Sequence, residues 1–120
     1  MTTSRATARD PFPLVEQHLR STGFRVLDQC WETDPDPRVV IAADHDVLVA
    51  CLVKTSSRRS RSGSADVINR TTVRALRRMA VAWMDSHATR FEQVRIDVIG
   101  VTIDGPGGYM IEHVRGAGEL

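Results

Sequence analysis

The sequence contains few cysteines and few aromatic residues, and it has no long apolar segment. Its two cysteines, Cys30 and Cys51, form no Cys-x-x-Cys motif and have no metal-ligand spacing with the four histidines. We therefore expect reduced, structural cysteines and no bound metal. The longest apolar runs, Val39–Ala43 and Val47–Val53, are far shorter than the roughly 20 residues of a membrane-spanning helix. With no apolar signal segment at the N-terminus, these features predict a cytoplasmic protein with no membrane partner.

The chain also lacks the motifs of several large enzyme classes. It has neither the glycine-rich loops of nucleotide-binding proteins nor the Gly-x-Ser-x-Gly motif of hydrolases. With 120 residues, 42% of them hydrophobic and 26% charged, the chain is typical of one globular domain that needs no metal or disulfide for stability. We expect residues 1–10 to form a flexible tail and residues 11–120 to form the domain.

Positive charge is concentrated in the middle of the chain. The net charge is only +1, yet the stretch from Lys54 to Met79 contains eight basic residues and one acidic residue. Such an asymmetry favours an acidic partner, and nucleic acid is the first candidate. The basic residues of this stretch are Lys54, Arg58, Arg59, Arg61, Arg70, Arg74, Arg77 and Arg78.

Hydrophobic periodicity and turn residues predict two helices and five strands in the order α-β-β-β-α-β-β. Asp10 and Asn69 are the expected helix N-caps, and Asp44-His45 is the expected hairpin turn. A strand that is apolar on both faces after this turn predicts a central, fully covered position in the sheet. The predicted helices span residues 11–22 and 69–87, and the predicted strands span residues 24–31, 38–43, 46–54, 93–104 and 109–114.

The second predicted helix has an apolar face and a basic face. At 100° per residue, the apolar face comprises Thr72, Ala75, Leu76, Met79, Ala80 and Trp83. The opposite face carries Arg70, Arg74, Arg77 and Arg78. These arginines have no acidic residue at i+4, so the face is either simply solvated or a phosphate-binding surface. The serine-rich loop before the helix would extend such a surface with Arg58, Arg59 and Arg61.

The segment from Asp44 to Thr55, which ends in Leu-Val-Lys-Thr, resembles the YraN-like family of uncharacterised bacterial proteins. Residues 19–27, 76–83, 94–101 and 111–117 also match the family in order, so the resemblance covers about residues 11–117. It implies an α/β fold with a restriction-endonuclease-like mixed β-sheet flanked by two helices.

The resemblance also implies a nuclease site that this chain has lost. Such nucleases bind a divalent metal through carboxylates, while a lysine supports the nucleophile or the transition-state charge. In this alignment Leu52 stands where the family has the Glu of Glu-x-Lys, Val39 stands at the metal-binding Asp, and only Lys54 is retained. Aliphatic side chains cannot ligate Mg²⁺. The alignment therefore predicts no catalytic residues and no cofactor, and it places Val39 and Leu52 close together on one face of the sheet.

The resulting prediction is a nuclease-like, non-catalytic protein that binds nucleic acid, with DNA as the expected ligand and little sequence preference. In that interpretation Lys54 contacts phosphate, although a lysine at the end of a buried strand also commonly extends to solvent. Glu112 and His113 are neighbours on a strand, so they face opposite sides and are expected to be structural. One alternative is a Mg²⁺-dependent endonuclease with a displaced site, and another is a protein-interaction module. The displaced site would use Asp34, Asp36, Asp44 and Asp46.

Overall fold

The computed structural model describes residues 11–30, 38–57, 68–103 and 108–117. Two helices and five strands follow one another as predicted, in the order α-β-β-β-α-β-β. The expected N-terminal tail lies outside the described residues. The elements are α1 (Phe12–Ser21), β1 (Arg25–Cys30), β2 (Arg38–Asp44), β3 (Val47–Ser57), α2 (Arg70–Ser86), β4 (Gln93–Ile103) and β5 (Tyr109–Val114).

The five strands form one mixed sheet in the order β1-β2-β3-β4-β5. Neighbouring strands are antiparallel except β3 and β4, which run parallel from the Val47–Gln93 pair to the Ser57–Ile103 pair. Parallel neighbours require a crossover connection, and here α2 provides it. The helix therefore begins near the C-terminal ends of β3 and β4 and runs back along the sheet.

The two helices cover opposite faces of the sheet. The alternation along β3 places Leu48 and Ala50 against α2, and it places Val49 and Cys51 against α1. We call these two surfaces the α2 face and the α1 face. Because β3 is buried on both faces, the prediction of a central, covered strand is confirmed.

Helix α1 begins one residue later than predicted. Pro11 occupies the N-cap position without a side-chain hydrogen bond, and Asp10, the predicted cap, lies outside the described residues. The helix ends at Ser21, one residue before the predicted end, where Gly23 adopts a φ of 94° and the N–H of Phe24 donates to the carbonyl of Leu19 at 2.9 Å. A left-handed glycine of this kind commonly ends a helix.

The turn between β2 and β3 also differs from the prediction by one residue. Strand β2 continues through Asp44, and the turn lies at His45 and Asp46, with His45 at a φ of 58°. Asp44 stays in the strand because its carboxylate accepts a hydrogen bond from Arg95 on β4. Histidine is among the residues that more readily adopt this left-handed conformation.

Helix α2 has the predicted N-cap but a different buried face. The side chain of Asn69 accepts a hydrogen bond from the N–H of Thr72 at 2.8 Å, which satisfies one otherwise unpaired donor. Val73 is buried, whereas Ala75, predicted to be in the core, is exposed. The buried face is therefore centred about 60° further round the helix, toward Arg77, than the sequence pattern suggested.

Candidate functional site

Three arginines of α2 form a solvent-exposed row. Arg70, Arg74 and Arg78 follow one another at i+4 spacing and are all exposed. At 1.5 Å per residue, each lies about 6 Å further along the helix axis than the one before. None of the three has a hydrogen bond or ion pair with any residue in the described part of the chain. The row therefore presents three guanidinium groups to solvent.

The other two described members of the basic set lie outside this row. Arg77 is half-buried, and its Nη1 donates to the carbonyl of Val94 on β4 at 3.2 Å, so this side chain ties the helix to the sheet. The rotation of the buried face toward Arg77 explains the contact. Lys54 is half-buried on β3 and points to the α2 face, two residues beyond Leu52. The remaining members of the set, Arg58, Arg59 and Arg61, lie outside the described residues.

The two positions that the sequence alignment predicts to have lost metal ligands, Val39 and Leu52, are aliphatic and buried. Val39 and Leu52 are direct partners across β2 and β3 and both contribute to the core of the α2 face, which confirms the expectation that they share one face. Val39 is fully buried and Leu52 is 6% exposed. Within the described ranges, no group of three or more His, Cys, Asp or Glu side chains could hold a metal ion.

The acids proposed for a displaced metal site do not converge in the described part of the chain. Asp44 lies on the α1 face and is paired with Arg95, so it is on the opposite side of the sheet from Val39. Asp46 is exposed in the hairpin turn. Asp34 and Asp36 lie outside the described residues.

A buried ionic cluster that sequence reasoning missed lies on the α1 face of β4. The carboxylate of Asp97 is fully buried and accepts four hydrogen bonds. Arg95 donates two of them, from Nε at 2.8 Å and from Nη2 at 3.1 Å. Nε2 of His113 donates a third at 2.8 Å, and the N–H of Gly116 donates a fourth at 3.0 Å. We call this group, together with Asp44 and His18, the Asp97 cluster.

The hydrogen bonds keep the Asp97 cluster ionised despite its burial. Burial acts to raise the pKa of Asp97, but hydrogen bonds from His113, Arg95 and Gly116 outweigh it and lower that pKa. The pKa of Arg95 is raised, chiefly by its hydrogen bond to Asp97. The hydrogen bond from Arg95 also lowers the pKa of Asp44. The centre of the cluster is therefore an arginine between two carboxylates.

His18 joins helix α1 to the Asp97 cluster. Its Nε2 lies 2.9 Å from Nδ1 of His113 on β5. Burial, followed by the charges of His113 and Arg115, lowers the pKa of His18. The Phe24 ring packs against His113, with the ring centroids 5.5 Å apart. The cluster thus connects α1, β2, β4, β5 and the turn that follows β5.

Two features of the sequence point to this cluster. Arg95 and Asp97 are two residues apart, so they share a face of the strand, and a carboxylate between Ile96 and Val98 is unusual in an apolar strand. Glu112 and His113 face opposite sides of β5, as expected for neighbours on a strand. Glu112 is exposed, whereas His113 faces the other way and contacts Asp97.

A surface group at the C-terminal end of α2 has the composition of a catalytic triad but not its hydrogen bonding. Nδ1 of His87 lies 3.0 Å from Oγ of Ser86, and Nε2 lies 3.9 Å from Oδ2 of Asp28. However, Nδ1 is also 2.9 Å from the carbonyl oxygen of Trp83, which can only accept. Nδ1 therefore carries a proton and cannot remove one from Ser86.

The fold defines a small α/β protein with one five-stranded mixed sheet between two helices. A family model described as "Uncharacterised protein family UPF0102" matches residues 13–101. The chain belongs to this family, which confirms the YraN-like resemblance.

Several relatives match over most of their length. A UPF0102 protein from Arthrobacter sp. (strain FB24) is 32% identical over 105 residues, which cover 88% of this chain and 89% of the relative. Another, from Frankia casuarinae, is 33% identical over 105 residues and covers 87% and 88% of the two chains. None of the described helices is long and apolar enough to cross a membrane.

Proposed function

We propose that this protein is a non-catalytic, nuclease-like member of UPF0102 that binds nucleic acid through the arginine row of α2. The observation that carries the proposal is that Arg70, Arg74 and Arg78 are exposed and have no partner among the described residues. Guanidinium groups bind phosphate oxygens through paired, charge-assisted hydrogen bonds. A row of unpaired guanidinium groups on a rigid helix is suited to a polyanion.

The shape of the exposed surface is compatible with a nucleic-acid backbone. The row extends about 12 Å along the helix axis at 1.5 Å per residue, whereas one strand of a duplex carries a phosphate about every 3.4 Å along its axis. Thr71 and Ala75, which lie beside the row, are exposed and small, so the backbone can approach the helix closely. Contacts of this kind give affinity without reading the bases, so we expect little sequence preference.

In this proposal, the basic segment before α2 would add charge at one end of the row. The segment over residues 58–67 connects the end of β3 to the start of α2, so it is attached to the helix end that carries Arg70. Its arginines, Arg58, Arg59 and Arg61, would extend the contact along the backbone. The same end of the sheet carries Lys54, which belongs to the proposed interface as a flanking positive charge.

The aliphatic side chains at the two expected ligand positions favour binding without cleavage. A two-carboxylate metal site needs hard oxygen ligands, and Val39 and Leu52 provide none. Both side chains are buried in the core of the α2 face, so a bound nucleic-acid backbone would contact no metal ion at this position. In this proposal, the protein therefore has a fold like that of restriction endonucleases but not their activity.

The test is a binding titration with duplex and single-stranded DNA at several salt concentrations. We expect affinity for duplex DNA to fall with salt at a log–log slope of roughly −0.9 per phosphate contacted. The triple variant Arg70→Ala, Arg74→Ala, Arg78→Ala should lose most of that dependence. A matched triple control, Arg20→Ala with Arg25→Ala and Arg90→Ala, removes three exposed arginines from other parts of the chain. The proposal is wrong if the wild type binds no nucleic acid at low salt, or if the triple variant binds like the control.

A further inference from the structure

The hydrogen bond between His18 and His113 joins helix α1 to the edge strand β5. Their ring centroids are 5.1 Å apart, with the planes at 64°, and the ring nitrogens are 2.9 Å apart. The side chain of His113 is only 8% exposed. Two imidazoles this close, one of them well shielded from solvent, influence each other's protonation.

The carboxylate of Asp97 determines where the protons of this pair lie. An ionised carboxylate only accepts hydrogen bonds, so Nε2 of His113 must carry a proton to donate to Asp97. In a neutral His113 the other nitrogen, Nδ1, then has a lone pair and accepts. Nε2 of His18 must therefore carry the proton that lies between the two rings.

The pair can accept one further proton and keep its hydrogen bond, but it cannot accept two. With one extra proton on either ring, one nitrogen of the facing pair still has a lone pair, so the N–H···N bond survives. With two extra protons, both facing nitrogens carry hydrogen and neither can accept. The two imidazolium rings then also repel each other, because like charges disfavour each other's ionisation.

Among the residues that the structure describes, the surroundings of the pair contain no spare negative charge for a second proton. On the α1 face, Arg95 donates to both Asp97 and Asp44, and the charge of Arg115 in the turn after β5 also acts on Asp44. Cys51 on β3 is neutral, because burial raises the pKa of its thiol well above the ordinary value.

The described charged groups of the neighbouring elements place no further unpaired acid beside the pair. Glu16 on α1 is paired with Arg20 at 2.7 Å. Strand β1 places Arg25 and Asp28 on the α2 face, as shown by their partners Ala43 and Ile41 in β2. Glu112 on β5 faces away from the pair and is exposed.

We propose that the His18–His113 pair is a pH-sensitive contact between α1 and the turn after β5. The contact holds while the pair carries at most one extra proton, and it opens when both rings are charged. The release is local. Val15 and Leu19 remain buried against the sheet, so α1 stays in place while the polar contact opens.

The turn after β5 provides the reporters of this release. The N–H of Gly116 donates to Asp97 at 3.0 Å, and the N–H of Ala117 donates to the carbonyl of Ile96 at 2.8 Å. Both bonds depend on β5 and its turn lying against β4, next to His113. Their amide hydrogens should therefore exchange faster with solvent when the histidine pair separates.

The test is amide hydrogen exchange of the full chain from pH 8 to pH 5, corrected for the intrinsic pH dependence of exchange. We expect the protection of Gly116 and Ala117 to fall by about tenfold or more per pH unit below the ordinary histidine pKa of about 6.5, since the open state takes up at least one more proton than the closed state. Ring ¹⁵N shifts should show protonated Nε2 on both histidines at pH 8. Protection that is constant between pH 7.5 and pH 5 would overturn the proposal.

The decisive variant is His18→Gln, because a glutamine amide can donate to or accept from His113 and does not titrate. The His18→Gln protein should keep the Gly116 and Ala117 amides protected until the pH falls to the range in which carboxylates titrate. The control His87→Gln, on the opposite face of the sheet, should retain the wild-type pH dependence. A His18→Gln protein whose protection falls over the same pH range as the wild type would show that the pair does not control the turn.

Discussion

Val39 and Leu52 face each other directly across β2 and β3, on the side of the sheet that α2 covers. Lys54 lies two residues beyond Leu52 on the same strand and therefore shares this face. In the proposed alignment these two positions would hold the carboxylates of a metal site, but both are aliphatic and belong to the hydrophobic core.

This geometry predicts the outcome of restoring the two acids. The double variant Val39→Asp, Leu52→Glu should be less stable without metal by several kcal/mol, because each buried charge has a desolvation cost of that order. Added Mn²⁺ should recover part of the loss, since a ligand that binds only the native state stabilises it. Thermal melts with and without Mn²⁺ provide the measurement.

The isosteric variant Val39→Asn, Leu52→Gln is the matched control for the restored site. It introduces polar side chains of the same size that carry no charge and bind Mn²⁺ weakly. Its melting temperature should not change with metal. If the acidic variant is equally indifferent to metal, the alignment of these two positions with the nuclease ligands is wrong.

A second prediction concerns the wild-type protein and DNA cleavage. Purified protein should not cleave duplex or single-stranded DNA with Mg²⁺ or Mn²⁺, because Val39 and Leu52 cannot ligate either metal. Cleavage assays across chromatographic fractions provide the measurement, with Lys54→Ala as the control. An activity that follows the protein peak and disappears in the Lys54→Ala protein would contradict the prediction.

The sequence predicted the order of the elements because each element carries its own local signal. Asn69 precedes an apolar repeat and caps α2, and Gly23 ends α1 where a left-handed residue is needed. The one-residue difference at Asp44 has another origin. The Asp44 difference comes from a partner, Arg95, that is 51 positions away in sequence, so no local pattern shows it.

The site was less predictable than the fold for the same reason. The arginine row of α2 follows from helical spacing alone, but the assignment of Arg77 to that row depended on the orientation of the helix. Val73 proved to be buried and Ala75 exposed, and this rotation turns Arg77 toward Val94. The Asp97 cluster combines residues from four elements and one turn, so only the tertiary structure brings it together.

A third prediction separates the arginines of α2 by function. The double variant Arg74→Ala, Arg78→Ala should flatten the salt dependence of duplex DNA binding by about two units if each residue contacts one phosphate. Its stability should change little, because neither side chain has a partner in the described part of the chain.

Arg77→Ala should behave in the opposite way. Loss of its hydrogen bond to the carbonyl of Val94 should lower the free energy of unfolding by about 1–3 kcal/mol, while the salt slope stays near that of the wild type. Urea denaturation and salt-dependent titrations of both variants test this division. Equal effects of the two variants on the slope would place Arg77 in the interface.

The last prediction concerns the pH dependence that Asp97 gives to stability. The folded state lowers the pKa of this carboxyl, so its contribution is present above the unfolded value of about 3.9 and is lost as pH falls through the lower folded value. Asp97→Asn should cost about 3–5 kcal/mol at neutral pH, because it leaves Arg95 without its buried partner. The variant should also lose less of its remaining stability than the wild type as pH falls below about 4. Urea midpoints between pH 3 and pH 7 measure both effects, and Asp46→Asn in the exposed turn serves as the control. An Asp97→Asn protein with the wild-type stability and acid dependence would show that the Asp97 cluster contributes little to the fold.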